Sequence, residues 1–156
     1  MARCHRENLC LCVVEKLDYC YRTKQQCCVG INYPGRASGF DVRGCRVLLI
    51  VDNPDLRDSL GKQLMTWGLL PHPCKTGEEA MVLLKEPSES FELLIVDSVL
   101  KGQSGEDLIL EMEKIPREQR PKTILLTPLS DKATKSSLVG VSRVTKPVFT
   151  TSFQSR

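Results

Sequence analysis

The sequence lacks several features that would place it at once in a large class of proteins. No stretch of its 156 residues approaches the ~20 apolar residues that a membrane-spanning helix needs. Its start is a poor secretory signal, because Arg3, Arg6 and Glu7 interrupt a short apolar run. No glycine-rich phosphate loop of the Walker type is present. We therefore expect a cytoplasmic chain without membrane insertion of this segment.

The sequence also has too few clustered basic residues for a nucleic-acid-binding protein. The net charge of +3 comes from the residues before position 46, where seven basic residues accompany four acidic ones. From position 46 onward, fifteen basic residues balance fifteen acidic ones. A neutral domain with scattered lysines lacks the dense positive stripe that neutralises a run of phosphates. We expect no nucleic-acid partner.

Cysteine is scarce in most of the chain and concentrated near its beginning. Seven of the eight cysteines precede residue 46, and only Cys74 follows. Structural zinc sites usually pair cysteines two to four residues apart, whereas this segment has one Cys-x-Cys and one adjacent pair, so we do not expect bound zinc. The shift in composition divides the chain into a cysteine-rich extension or linker, residues 1–45, and a main domain, residues 46–156.

Within the main domain, short apolar runs alternate with amphipathic segments. Residues 47–51, 91–96 and 123–126 form mostly apolar runs that are typical of strands buried on both faces. Two further strands are expected near residues 69–74 and at 141–145. Between the first two runs, leucines recur at every fourth position from Leu56 to Leu64, which is a helical spacing. Alternating strands and helices imply parallel strands joined by right-handed crossovers. We predict an open α/β sandwich.

Polar residues follow four of the predicted strands, at Asp52, Asp97, Thr127 and Lys146. The carboxyl ends of parallel strands share one edge of the sheet, where the reactive sites of open α/β folds lie. Two carboxylates at that edge make a hard-oxygen site for Mg²⁺, and a hydroxyl and an ammonium can hold phosphoryl oxygens. The set indicates transfer of a phosphoryl group to an aspartate. The structural alternative is that each acid merely caps the helix after it.

The segments around these residues resemble a response-regulator receiver domain, the phosphoacceptor module of two-component signalling. The resemblance lies in the order and spacing of VLLIVDNP at 47–54, LLIVD at 93–97, LLT at 125–127 and TKP at 145–147. It implies a flavodoxin-like sheet of five parallel strands in the order 2-1-3-4-5, with helices on both faces. The last helix should be truncated, because residues 148–156 leave room for about two turns.

The resemblance also implies a role for each residue at the strand ends. Asp97 would be the phosphoacceptor, receiving the group from a phosphohistidine of a histidine kinase or a histidine phosphotransfer domain. Asp52 and Asp97 would hold Mg²⁺, and the Thr127 hydroxyl would stay in contact with the phosphoryl oxygens. Lys146, which precedes a Pro147 expected to be cis, would pair with the phosphate.

Some positions depart from the receiver pattern. Val51 stands where the first of two adjacent acids is usual, so we expect Mg²⁺ to bind weakly. Lys101 replaces a proline, and Arg143 replaces the switching aromatic, so the usual threonine–aromatic switch is not expected. The Trp67-Gly68 end of the first helix is similar to atypical receivers fused inside hybrid histidine kinases. The chain could therefore be the cytoplasmic part of a membrane-bound sensor.

Three alternative functions are consistent with these sequence features. The first is a phosphorylatable receiver in a phosphorelay, favoured by the complete set at the strand ends. The second is a degenerate pseudo-receiver that serves only as a docking or regulatory module of a hybrid kinase, favoured by Val51 and Arg143. The third is an aspartate-nucleophile hydrolase, which normally needs a second aspartate where Val99 stands. Val99 and Leu129 are apolar where polar side chains help to place water in fast-hydrolysing receivers.

Overall fold

The computed structural model describes residues 2–3, 40–41, 43–128, 138 and 140–145. Five parallel strands form the main sheet: β1 (Arg46–Ile50), β2 (Leu70–Cys74), β3 (Leu93–Asp97), β4 (Lys122–Thr127) and β5 (Val141–Thr145). Their order across the sheet is β2-β1-β3-β4-β5. The predicted order 2-1-3-4-5 is confirmed, and β3 lies at the centre.

Three helices connect the strands in the described part of the chain: α1 (Pro54–Thr66), α2 (Gly77–Lys85) and α3 (Gly105–Met112). Each begins at a side chain that accepts hydrogen bonds from the first turn: Asn53, Thr76 and Ser104. A 3₁₀ turn at Arg117–Gln119 leads into β4. The predicted truncated helix at 148–156 lies outside the described residues.

The sheet is buried on both faces, as its continuous apolar strands predict. Along β1 and just beyond it, Val47, Leu49 and Val51 pack on one face in a cluster that includes Leu60 and Leu64 of α1. The residues between them belong to a second cluster on the other face, which takes in the apolar sides of α2 and α3. Successive residues of a strand point to opposite faces, so one strand supplies both cores. The prediction of helices on both faces is confirmed.

Helix α3 is shorter than its sequence pattern suggests. Apolar residues at helical spacing through Ile115 predict a helix that ends at Pro116, but α3 ends at Met112. Ile115 is nevertheless buried, because a turn in which its N–H donates to the Met112 carbonyl carries it back to the core. The Arg120 guanidinium donates to the Ile115 carbonyl at 2.6 Å, which gives a partner to a carbonyl that has none within the helix.

The predicted boundary between residues 45 and 46 stays a prediction. Residues 2–3 pair in parallel with residues 40–41 in a separate two-residue ladder, and β1 begins at Arg46. Cys45, one residue before the predicted boundary, is buried in the core cluster on the α1 face. Among the residues that the structure describes, no helix is long and apolar enough to cross a membrane.

Candidate functional site

Asp97 is the last residue of the central strand β3, and only 3% of its surface is exposed. Its Oδ1 accepts a hydrogen bond from the N–H of Val99 at 3.0 Å. The helix that follows is capped by another residue, since Ser104 Oγ accepts from the N–H of Asp107 at 3.0 Å. The alternative in which Asp97 caps the next helix is therefore wrong.

Asp52 follows β1 and is half-buried at the same edge of the sheet. Its Oδ2 accepts a hydrogen bond from the backbone N–H of Lys101 at 2.6 Å. Helix α1 is capped instead by Asn53, whose Oδ1 accepts from two N–H groups of the first turn, so the capping alternative is wrong for Asp52 too. Because β1 and β3 are neighbours with Ile50 beside Val96, the two carboxylates emerge at adjacent strand ends.

The loop between β3 and α3 is closed by its own backbone. Val99 and Ser104 form an antiparallel bridge, and the N–H of Gly105 donates to the Ser98 carbonyl at 2.9 Å. Gly102 turns the chain at φ +86, a conformation that favours glycine. These backbone contacts therefore fix the position of the Lys101 N–H that donates to Asp52.

Val51 supplies no ligand from its side chain, because that side chain is a hydrocarbon, and it is fully buried in the core cluster on the α1 face. At the position where receivers usually have the first of two adjacent acids, this chain therefore has a residue that packs in the core. Beside it, the Arg57 guanidinium donates to the Val51 carbonyl at 2.8 Å and to the Asp52 carbonyl at 3.4 Å. One cation of α1 therefore lies at the backbone that carries Asp52.

Thr127 ends β4, the strand next to β3 on its other side, and its side chain is buried. The register pairs Asp97 with Leu126, so Thr127 follows one residue beyond the level of Asp97. Its hydroxyl donates to the Val144 carbonyl at 3.5 Å, which is long for a hydrogen bond. Lys146 lies outside the described residues, one position past the end of β5.

Three of the four predicted site residues thus share one edge of the sheet: Asp52, Asp97 and Thr127. Their chemical roles stay predictions, as does that of Lys146. The Lys101 N–H was not predicted as part of the site, since the sequence shows only that position 101 is not proline. Nor did the sequence indicate that Arg143 Nη1 would lie 3.5 Å from Glu106 Oε1 of α3, in an ion pair between residues far apart in the chain.

The two carboxylates fit a magnesium ion with few protein ligands. Mg²⁺ is commonly held by one or two carboxylates and keeps several waters. Within the described residues, Oδ1 of Asp52 accepts no hydrogen bond, so that oxygen is available to a cation. The described residues contain no group of three or more histidine, cysteine or acidic side chains arranged for a metal. Among the described acidic side chains, Asp52 and Asp97 are therefore the candidate ligands at this edge.

No protein-family profile and no curated protein matches the sequence. Several solved structures do match this chain. The response regulator protein TrrA from Thermotoga maritima, in complex with Mg²⁺ and BeF, is 30% identical, with 67% of this chain and 88% of TrrA covered and a TM-score of 0.56. This chain belongs to the response-regulator receiver family.

Two further solved structures are similar to this receiver. The complex of histidine kinase ThkA with TrrA contains a chain that is 28% identical, with 65% of this chain and 85% of that chain covered and a TM-score of 0.53. The adenylate cyclase from Rhodopirellula baltica is 26% identical, with 65% and 76% covered and a TM-score of 0.57. Most of the other structures compared are receiver domains.

Proposed function

We propose that this receiver is a phosphoacceptor in two-component or phosphorelay signalling, with Asp97 accepting the phosphoryl group from a phosphohistidine. One observation carries the proposal: a buried carboxylate at the end of the central strand that caps no helix, beside a second carboxylate at the adjacent strand end. Burying a charged group is unfavourable unless it is compensated. The burial of Asp97 beside a second carboxylate supports a chemical role for the pair.

The proposed step is an in-line displacement at phosphorus. A carboxylate oxygen of Asp97 forms a bond to phosphorus while the phosphorus–nitrogen bond of the phosphohistidine breaks, and the bonding pair leaves with the imidazole nitrogen. The product is an acyl phosphate. The Thr127 hydroxyl can donate to a phosphoryl oxygen, and the Lys146 ammonium can neutralise its charge, because Thr127 ends β4 and Lys146 comes directly after β5, the strand beside it.

Asp52 and Asp97 are the residues that would hold Mg²⁺. When bound, the ion would neutralise the charge on the phosphoryl oxygens and orient them for attack. TrrA, a relative, was solved with Mg²⁺ and BeF, which supports magnesium as the ion here. Binding should be weak, since Val51 removes one carboxylate from the usual acidic pair.

The proposed partner is a histidine kinase or a histidine phosphotransfer domain. TrrA was solved in complex with the histidine kinase ThkA, which supports a partner of that class. The proposal extends to a chain that works in the cytoplasm, either alone or as the receiver of a hybrid histidine kinase.

The test is intact-mass measurement after incubation with Mg²⁺ and a small acyl-phosphate donor. The wild-type protein should gain one phosphoryl group, and Asp97→Asn should gain none. Asp58→Asn is the matched control, because Asp58 is an exposed aspartate of α1 that pairs with Lys62 on the surface. Equal gain by wild type and Asp97→Asn would refute Asp97 as the acceptor.

A second candidate function is a pseudo-receiver that docks a partner without accepting a phosphoryl group. The full burial of Val51 and the pairing of Arg143 with Glu106 favour it, since both replace parts of the usual receiver machinery with structural contacts. Failure of the wild-type protein to gain phosphoryl mass at saturating Mg²⁺, from both an acyl phosphate and a phosphorylated histidine phosphotransfer domain, would make this function the better account.

A further inference from the structure

The hydrogen bond from Lys101 to Asp52 ties together two loops that are distant in sequence. The Lys101 N–H lies 2.6 Å from Asp52 Oδ2, across a separation of 49 residues. A bond of this length to a carboxylate is at the short, strong end for an amide donor. It exists only because position 101 is not proline, since proline has no N–H to donate.

The donor is held more firmly than a side chain would hold it. The loop that carries Lys101 is closed by the Val99–Ser104 bridge and by the bond from the Gly105 N–H to the Ser98 carbonyl. The Lys101 side chain itself is exposed, so what reaches Asp52 is backbone. The position of the Asp52 carboxylate is therefore set by the same loop that leads away from Asp97.

We propose that the backbone N–H of Lys101 is a positioning group for Asp52, which holds Oδ2 so that Oδ1 serves as a single oxygen ligand to the divalent cation. The proposal rests on the magnesium site of the proposed function. Carboxylates that ligate a metal are commonly hydrogen-bonded themselves, and losing such a partner typically weakens metal binding by about 10- to 100-fold. With Val51 contributing no oxygen, orientation of the one remaining acid matters more.

Calorimetric Mg²⁺ titration of three proteins tests the proposal without any phosphoryl transfer. Lys101→Pro removes the N–H and should weaken Mg²⁺ binding by about tenfold or more. Lys101→Ala keeps the N–H and removes only an exposed charge, so its affinity should stay within about twofold of wild type. Equal or tighter binding by Lys101→Pro would overturn the proposal, because the amide would then be a competitor of the cation.

A second variant separates loss of the N–H from distortion by the proline ring. Replacing Lys101 with the α-hydroxy acid analogue of lysine puts an ester oxygen in place of the N–H and leaves the side chain unchanged. It should weaken Mg²⁺ binding as Lys101→Pro does, and wild-type affinity in the ester variant would overturn the proposal.

The hydrogen bond itself can be observed in the metal-free protein by NMR. The Lys101 amide proton should resonate downfield and exchange slowly in wild type, and Asp52→Ala should reverse both properties. An amide that is unchanged in Asp52→Ala would overturn the positioning role. If these results hold while wild type gains no phosphoryl mass, the proposed function fails and the positioning of Asp52 stands.

Discussion

Gly105 stands so close to the acceptor strand that a β-carbon at this position would lie 2.2 Å from the carbonyl oxygen of Asp97. The contact is to backbone, which cannot swing aside. Gly105→Ala should therefore push the start of α3 away from β3 and destabilise the protein by about 1–3 kcal/mol, as overpacking does. Urea unfolding followed by circular dichroism would measure the loss.

Gly61→Ala is the matched control for that substitution. Gly61 lies inside α1, and a β-carbon there would meet nothing within 4 Å. Alanine is a better helix former than glycine, so this variant should gain about 0.5–1 kcal/mol. A loss of stability in Gly61→Ala, or none in Gly105→Ala, would contradict the packing that the structure gives to these two glycines.

Val51→Asp should tighten Mg²⁺ binding and destabilise the metal-free protein. The new carboxylate would add attraction for the cation. It would also enter a position that is 0% exposed, where a charge without a partner is costly, by at least about 2 kcal/mol. Urea unfolding with and without Mg²⁺ should show a larger metal-dependent gain for the variant than for wild type.

The control for Val51→Asp is Val51→Asn, which has nearly the same size and no charge. It should lose stability from burial of a polar group but recover none of it with Mg²⁺. Metal affinity that is unchanged in Val51→Asp would count against the magnesium site at Asp52 and Asp97.

The fold could be predicted because its signals are local. Buried parallel strands are continuous apolar runs, and the end of a strand is marked by a polar residue such as Asp52 or Asp97. The capping alternative for both acids failed because Asn53, directly after Asp52, and Ser104, at the end of the loop after Asp97, fill the cap positions. The sequence could not distinguish these cases, since a cap is defined by backbone angles and not by residue type alone.

The long-range contacts of the site could not be predicted from the sequence. The bond between Lys101 and Asp52 uses a backbone N–H, which every residue except proline carries, so no residue type marks it. The pairing of Arg143 with Glu106 depends on how β5 and α3 approach in space. The early end of α3 has the same origin, because a turn after Met112 reaches the core as well as another helical turn would.

Burial raises the pKa of the Cys74 thiol from its ordinary 9.0 to about 12, with the nearby charge of Glu79 as a smaller cause. In the unfolded chain the thiol loses its proton near its ordinary pKa, while the folded thiol stays protonated. Stability should therefore fall as the pH rises from about 9 toward 12. Unfolding in urea across this range should show a decline that is shallower in Cys74→Ala.

Alkylation checks the same thiol at fixed pH. Because the thiolate is the reactive form, native Cys74 should react with iodoacetamide at pH 8 far more slowly than in urea. Peptide mapping after timed labelling reports this site separately from the other cysteines. Equal labelling in both conditions would contradict the burial of Cys74.

The ion pair between Arg143 and Glu106 should contribute little to stability. Both side chains are partly exposed, and exposed pairs typically contribute about 0.2–1 kcal/mol. Glu106→Gln and Arg143→Gln, alone and together, would give the coupling energy from urea unfolding. A coupling well above this range would show that β5 and α3 are held together more tightly than a surface pair allows.

The last prediction concerns the lifetime of the acyl phosphate on Asp97, which we expect to be long. Hydrolysis requires a water to attack phosphorus while the bond to the Asp97 oxygen breaks, and an oriented water reacts much faster than a random one. Val99 cannot orient a water, because its side chain is apolar. It is 61% exposed, so a polar residue there should change stability by no more than about 0.5 kcal/mol.

Val99→Glu should therefore shorten the half-life of the phosphorylated protein by about tenfold, which corresponds to about 1.4 kcal/mol of barrier. Val99→Ala is the control, because it changes the side chain without supplying a group that can hold water, and its half-life should match wild type. Intact mass followed over time after removal of the donor measures all three. A wild-type acyl phosphate that decays as fast as that of Val99→Glu would show that water is placed by groups other than residue 99. Equal acceleration in Val99→Ala would instead mean that Val99 only shields the phosphorus from solvent.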